Sequence, residues 1–342
     1  MPDRRDGHRA HCRCLGRARG TLPETRAELA AAAALTPLDP DLQMLGMVGT
    51  GLEDALISTR SAGALVMGRG GYGPLQLCGT PLRLLRRRVN LRVAAGARVA
   101  VARAAGGHPE PARGALVVFD AAGRVAHRIQ YQAGPDEALA CSLDRADTAD
   151  PCEPGTGIGT GIGAADEAED RLGGTPPPAP GCNVIPLQAI RAARARWDDS
   201  GLAHHLDDAL ADGGRLRHGC LAHVGAGRSR RVQAGMLRSF FACLAERMIS
   251  FARAVPASGL MQFDIGPIRG LSETGSILLA QTDNGAFSLD LDHLGSAWVV
   301  RVKGAMALEL YSRDRQSLAI CHADPSQDPG TWNDIMTCFP AA

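Results

Sequence analysis

Three stretches of this chain recur in order, and that repeat constrains the fold more than any single motif does. Ala115-Leu-Val-Val-Phe-Asp-Ala-Ala-Gly-Arg-Val-Ala-His127 reads as strand, turn at Asp120–Gly123, strand. Ala307-Leu-Glu-Leu-Tyr-Ser-Arg-Asp-Arg-Gln-Ser-Leu-Ala319 has the same shape, with its turn at Ser312–Gln316. Tyr72-Gly-Pro-Leu-Gln-Leu77 returns as Ile265-Gly-Pro-Ile-Arg-Gly-Leu271, and Leu91–Val101 returns as Leu289–Val302. Shared order at similar offsets implies an internal duplication. Alternating Val, Leu and Phe between turn residues marks hairpins rather than βαβ crossovers. Helical periodicity is expected over Glu24–Leu35, Leu187–Leu210 and Ser229–Ala252. The fold class that follows is α+β: a tandem duplication, each half a large antiparallel β-sheet with packed helices.

Residues 144–182 change character, with Gly, Pro, Asp and Thr dominating and no periodicity. They divide the chain into a flexible Arg-rich tail (1–24), a first repeat (25–143), a Gly/Pro/Asp-rich linker (144–182) and a second repeat (183–342). The linker's GTGIGTGIG lacks the Gly-Lys-Ser/Thr of a phosphate loop and follows no strand. The tail's His8, His11, Cys12 and Cys14 lack paired zinc spacing.

Composition excludes several classes. A net charge of +1 argues against a general nucleic-acid or anionic-membrane binder. The run Arg83-Leu-Leu-Arg86-Arg87-Arg88-Val-Asn-Leu-Arg92 contains no aromatic residue for base stacking, so it reads as a solvated basic edge. No apolar stretch approaches the ~20 residues of a transmembrane helix, and no secretory signal opens the chain. The ten cysteines form no evident framework. Cys78, Cys220 and Cys243 read as small buried hydrophobes. A reduced, cytoplasmic protein is the expectation.

Residues 197–210, WDDSGLAHHLDDAL, carry the densest chemistry: two imidazoles among four carboxylates on a helix. A solvated acidic face, a divalent site using His204 and Asp208 at i, i+4, and a single imidazole ligand all fit this pattern. Adjacent helical residues point about 100° apart, so His204 and His205 cannot both serve one ion. Arg92 reads either as a strand-edge charge or as a fixed donor.

Several segments bear a family resemblance. Gly259-Leu-Met-Gln-Phe-Asp-Ile-Gly266, Ala297-Trp-Val-Val-Arg301 and Leu308-Glu-Leu-Tyr311 resemble, in order, motifs of the HemS/HmuS/ChuS/PhuS family of cytoplasmic haem-binding, haemin-transport and haemin-degrading proteins. Thr59-Arg60 with Gly70 and Tyr72, and Val118–His127, are similar to motifs of that family's first half. The resemblance spans roughly residues 25–338. It implies haem b as cofactor, and His204, seven residues after Trp197, as the axial ligand to the haem iron. Arg92 would stand on the distal haem face and Arg217 at the haem or its propionates. Lys303 and His322 would be further cofactor-binding positions. His205 would be solvated or a neighbour, and His127 structural.

The same resemblance implies work in bacterial haem uptake, accepting imported haem for storage, for delivery to a haem oxygenase, or for degradation. A haem oxygenase and an inner-membrane haem ABC importer would then be its partners, with no nucleic acid. The alternatives are an enzyme that degrades its own bound haem, or a diverged duplicate that binds haem weakly and serves as an interaction module. Departures from the family pattern fall at Ala94, at Val302 (Lys303 adjacent), at Ile320-Cys321-His322-Ala323, and between Gly63 and Gly68, where two histidines are absent. His322 and Cys321 would offer replacement ligands.

Overall fold

The computed structural model describes residues 25–32, 34–38, 42–94, 100–105, 112–120, 122–132, 136, 185–257 and 259–342. The tail with His8, His11, Cys12 and Cys14, and the linker 144–182 with GTGIGTGIG, lie outside the described residues.

Two sheets dominate. The first half contributes β1 (Ala34–Leu38), β2 (Leu56–Arg60), β3 (Ala64–Arg69), β4 (Gln76–Leu77), β5 (Asn90–Val93), β6 (Ala100–Ala105), β7 (Ala112–Phe119) and β8 (Val125–Gln132). The second half contributes β9 (Ser229–Val232), β10 (Phe251–Ala257), β11 (Leu260–Gly266), β12 (Gly270–Thr274), β13 (Ile277–Gln281), β14 (Gly285–Asp290), β15 (Leu294–Val302), β16 (Ala305–Ser312) and β17 (Ser317–Ala323). A 9-stranded sheet runs β1-β6-β7-β8-β2-β3-β14-β13-β12, and an 8-stranded sheet runs β4-β5-β11-β10-β17-β16-β15-β9. Pairing is antiparallel except between β4 and β5.

Both orders trace the same path, so the duplication read from the repeats is present in the topology. Periodicity could not show that the halves exchange strands. β14 pairs with β3, Gly285 opposite Gly68 and Leu289 opposite Ala64. Reciprocally, β5 pairs with β11, Asn90 opposite Phe263 and Val93 opposite Leu260. Each sheet is therefore completed by the other half.

Helices α1 (Arg26–Ala32), α2 (Leu42–Gly51), α3 (Leu187–Trp197), α4 (Leu202–Leu210), α5 (Arg215–Leu221), α6 (Leu237–Glu246) and α7 (Gly330–Cys338) pack around the sheets. The helical expectations need three corrections. Leu35 lies in β1, not in a helix, because Leu35-Thr-Pro-Leu38 pairs with β6; Pro37 is tolerated because β1 is an edge strand. Gly201, extended at φ −83° and ψ 172°, splits Leu187–Leu210 into α3 and α4. Ser229–Ala252 begins and ends in strands, with a 3-10 turn (Ala234–Met236) and α6 between them.

A core joins the inner faces of the two sheets, with Val66, Phe287 and Leu289 from one and Phe251, Val255 and Leu310 from the other, closed by Phe241 and Trp332. At this interface a polar chain is buried. Gln262 Nε2 donates to the Ile57 carbonyl at 3.4 Å, and Thr59 Oγ1 donates to Gln262 Oε1 at 2.8 Å. Having spent its proton there, Thr59 accepts from His127 Nδ1 at 2.7 Å, which leaves Nε2 to accept from the Tyr72 hydroxyl. His127 is thus a neutral, structurally bonded histidine inside β8, which runs on to Gln132 rather than ending at His127 as the sequence suggested.

Burial lowers the His127 pKa from 6.5 to about 3. The unfolded chain takes up this proton near 6.5 and the folded chain does not, so stability is constant above that pH and falls as pH drops through the interval toward 3. Urea unfolding across this range should show that decline, with a shallower slope in His127→Gln. A Cβ at Gly285 would lie 1.9 Å from the Met67 carbonyl oxygen in the exchanged pair. Gly285→Ala should therefore lower unfolding free energy by about 2–3 kcal/mol in the same assay.

Candidate functional site

The site is built where α4 lies on the outer face of the 8-stranded sheet. Leu206, Ala209 and Leu210 form the buried stripe of this amphipathic helix, packed on Ala254, Met261, Phe263, Ala307 and Ile320. Strand alternation places Arg92, opposite Met261, on the same face, while Leu91 and Val93 enter the core beneath. Arg92 lies between β4 and β11 with 0% exposure, which removes the strand-edge reading.

An unpaired buried guanidinium is prohibitively unfavourable, and α4 supplies the counter-charge. Arg92 Nε donates to Asp207 Oδ1 at 2.5 Å and Nη2 to Asp207 Oδ2 at 2.8 Å; Nη2 also donates to the Thr80 carbonyl at 3.0 Å. Nη1 is buried with no hydrogen-bond partner. Asp207 further accepts the Gly79 N–H at 2.9 Å and bonds the Cys78 thiol. Cys78 is therefore half-buried and polar-bonded, not a simple apolar filler; burial, then Asp207, pushes its pKa up to about 12.

A second buried network stands on the same face. Arg217 of α5 donates through Nε to Glu309 Oε2 at 2.9 Å and through Nη2 to Glu309 Oε1 at 2.5 Å. Its Nη1 donates to His205 Nδ1 at 3.0 Å, and its guanidinium lies 5.1 Å over the Trp197 ring. Burial opposes this charge, but Glu309 holds the Arg217 pKa above its ordinary value. The guanidinium expected at a haem or propionate is committed internally. Of the two readings of His205, solvated or a neighbour, the solvated one is corrected: it is buried, 4.6 Å edge-on to Trp197, with its pKa lowered to about 4 by burial and then by Arg217.

His204 occupies the first turn of α4. Its ring is 43% exposed, yet Nε2 is shielded and unpartnered, with Asp208 Oδ1 at 3.9 Å. His322 is buried on β17, with Nδ1 donating to the Ala323 carbonyl at 2.8 Å. This fixes the tautomer and leaves Nε2 as an unpartnered lone pair. Burial lowers the His322 pKa to about 4. Its neighbour Cys321 enters the core between the sheets, so the two side chains lie on opposite faces of β17. Lys303 is exposed in the β15–β16 turn, in the left-handed region at φ 43°.

The structure thus bonds Arg92 to Asp207 on the helix that carries His204, sets Arg217 and His322 on the same sheet face, and leaves Lys303 at a hairpin tip. Among the described residues no group of three or more His, Cys, Asp or Glu is placed to hold a metal ion, so the His204–Asp208 divalent site has no third ligand. Sequence reasoning missed Asp207 and Glu309. The acidic cluster after His204 was visible, but which carboxylate faced a buried cation was not.

No family model matches the chain, and no curated protein matches it by sequence. Solved structures do match. Apo-PhuS, a haem-binding protein from Pseudomonas aeruginosa, superposes with a TM-score of 0.68 at 19% identity, covering 92% of this chain and 90% of that one. Its holo form gives 0.67 at 18%, covering 92% and 89%. ChuS, a haem degrading enzyme from Escherichia coli O157:H7, gives 0.66 at 15%, covering 92% and 91%. The chain has the PhuS and ChuS fold. The motif resemblance and the three-dimensional likeness therefore point to the same proteins, and the PhuS-like fold extends across both repeats. Among the described residues no helix is long and apolar enough to cross a membrane.

The Arg217–Glu309 pair, with side chains 2% and 3% exposed, sets a measurable expectation. Glu309→Ala should destabilise the chain by about 3–5 kcal/mol by stranding a buried cation. Arg217→Met with Glu309→Leu should recover most of that loss in thermal unfolding.

Proposed function

We propose that this PhuS-like chain binds haem b through His204 and works in bacterial haem uptake as a cytoplasmic carrier. The observation that carries the reading is the shielded, unpartnered His204 Nε2 one turn from the Asp207–Arg92 pair, on a fold shared with haem-binding proteins. A neutral imidazole is a suitable axial ligand, and the free Nη1 of buried Arg92 is a donor that cannot deprotonate. Met261, Phe263 and Ile320 form the apolar floor that seats α4 and so holds His204 and Asp207 in place. The donor set fits haem, which when bound would supply a redox-active iron. Imported haem would be accepted for storage or for delivery to a haem oxygenase, with a haem ABC importer upstream. The tail 1–24 and linker 144–182 would connect and flank the two repeats.

A specific observation supports the weaker-binding alternative. Arg217 is taken up by Glu309, and Lys303 stands at a hairpin tip, so two expected anchors for haem carboxylates are diverted. A haemin titration followed at the Soret band decides between them. In the carrier, His204→Ala weakens binding by about a hundredfold, some 2.7 kcal/mol, and changes the spectrum of what remains. Equal weak spectra for wild type and His204→Ala would sink the haem reading. Reductant and oxygen added to the complex separate carrier from degrading enzyme: catalytic bleaching of the Soret band marks the enzyme, and its absence the carrier.

A further inference from the structure

Arg92 and Asp207 are joined by more than one charge facing another. Asp207 takes Nε–H on one oxygen and Nη2–H on the other, and the same carboxylate receives the Gly79 N–H and the Cys78 thiol. Nη2 donates in addition to the Thr80 carbonyl. The bonds close a ring through strand β5, the strap 78–80 and helix α4. A planar fork gripped along its Nε/Nη2 edge by a carboxylate, and by a carbonyl at Nη2, cannot swing. Only Nη1 remains without a partner, and it is fully shielded from solvent.

Asp207 also stands three residues after His204, so the group that orients the guanidinium shares a rigid helix with the proposed iron ligand. Asp208 makes the comparison clear. It has the same charge on the same helix, yet its side chain is 38% exposed and reaches Arg217 only at 4.0 Å. Geometry, not charge alone, distinguishes Asp207.

We propose that Asp207 is a positioning residue of the haem site, fixing the Arg92 guanidinium so that Nη1 is its single free donor and holding it in register with His204. The proposal rests on the haem reading above. Asp207 itself does not touch the haem; it acts through Arg92.

The test uses the ferric haem complex of the full chain, whose visible bands change on alkaline titration to a form carrying one more negative charge. Two effects of Asp207→Asn oppose each other in sign. Deleting a nearby negative charge favours that form and lowers the midpoint, whereas losing a fixed hydrogen-bond donor raises it. Positioning predicts a rise of about one pH unit. Arg92→Lys, which keeps the charge and loses the fork, should raise it likewise, and Asp207→Glu should return it toward wild type. Thermal unfolding of the haem-free variants reports the structural contribution separately. If Asp207→Asn does not fold, Arg92→Lys and Asp207→Glu carry the test. A lowered or unmoved midpoint in the variants, whatever happens to their melting temperature, overturns the proposal and makes Asp207 a structural brace. A wild-type chain lacking a His204-dependent spectrum sinks the haem reading and this proposal together, whereas a normal His204-dependent spectrum with no midpoint shift sinks this proposal alone.

Discussion

Reciprocal strand exchange is the constraint on which the rest of the structure depends. β5 leaves its own repeat to pair with β11, and β14 does the same with β3. Neither half can satisfy its sheet edge alone, because an unpaired edge leaves a row of backbone N–H and C=O groups open. The exchange also assembles the site. Arg92 belongs to the first repeat and Asp207 to the second, and they meet because β5 lies in the sheet that α4 covers. A chain with the same residues and unexchanged strands would have an apolar helix face over a sheet without its cation.

Charge burial gives this sheet its second organising feature. Arg92, Arg217 and Arg253 are almost wholly enclosed, with Asp207, Glu309 and Asp264 as their nearest carboxylates. Such pairs are weak contributors to net stability, since desolvation offsets much of their attraction. The directional bonds of the first two, however, admit few alternative packings. Asp207 pins α4 to β5, Glu309 pins α5 to β16, and Asp264 ties β11 to β10. Arg253 also rests 4.5 Å over Phe251, a favourable face for a cation denied water. The helices that carry the candidate haem residues are therefore located by ion pairs as much as by apolar packing.

Much of this was legible in the residues, for identifiable reasons. Hairpins such as β7–β8 and β16–β17 are local, so alternation and turn residues suffice to find them. The break at Gly201 was not apparent, because periodicity runs through Leu187–Leu210 on both sides of it. The family resemblance pointed to His204 through its place after Trp197, and its shielded, unbonded Nε2 is a feature it shares with His322. The solvated reading of the neighbouring His205 fails, because a histidine amid acids looks exposed in sequence whether or not it is. Its burial depends on Arg217 and Trp197, which reach it from α5 and α3.

By itself, then, the sequence determined that the chain is duplicated, that it is α+β with hairpin-built sheets, and that an imidazole follows Trp197 at the head of the second repeat. These are properties of local pattern and order, which propensity and alternation encode directly. Only the tertiary structure decided which repeat's strands complete which sheet, which of the aspartates on α4 meets Arg92, and that Arg217 answers to Glu309 rather than facing outward. Those outcomes are set by long-range pairing and by desolvation, and neither is written in the spacing of residues along the chain.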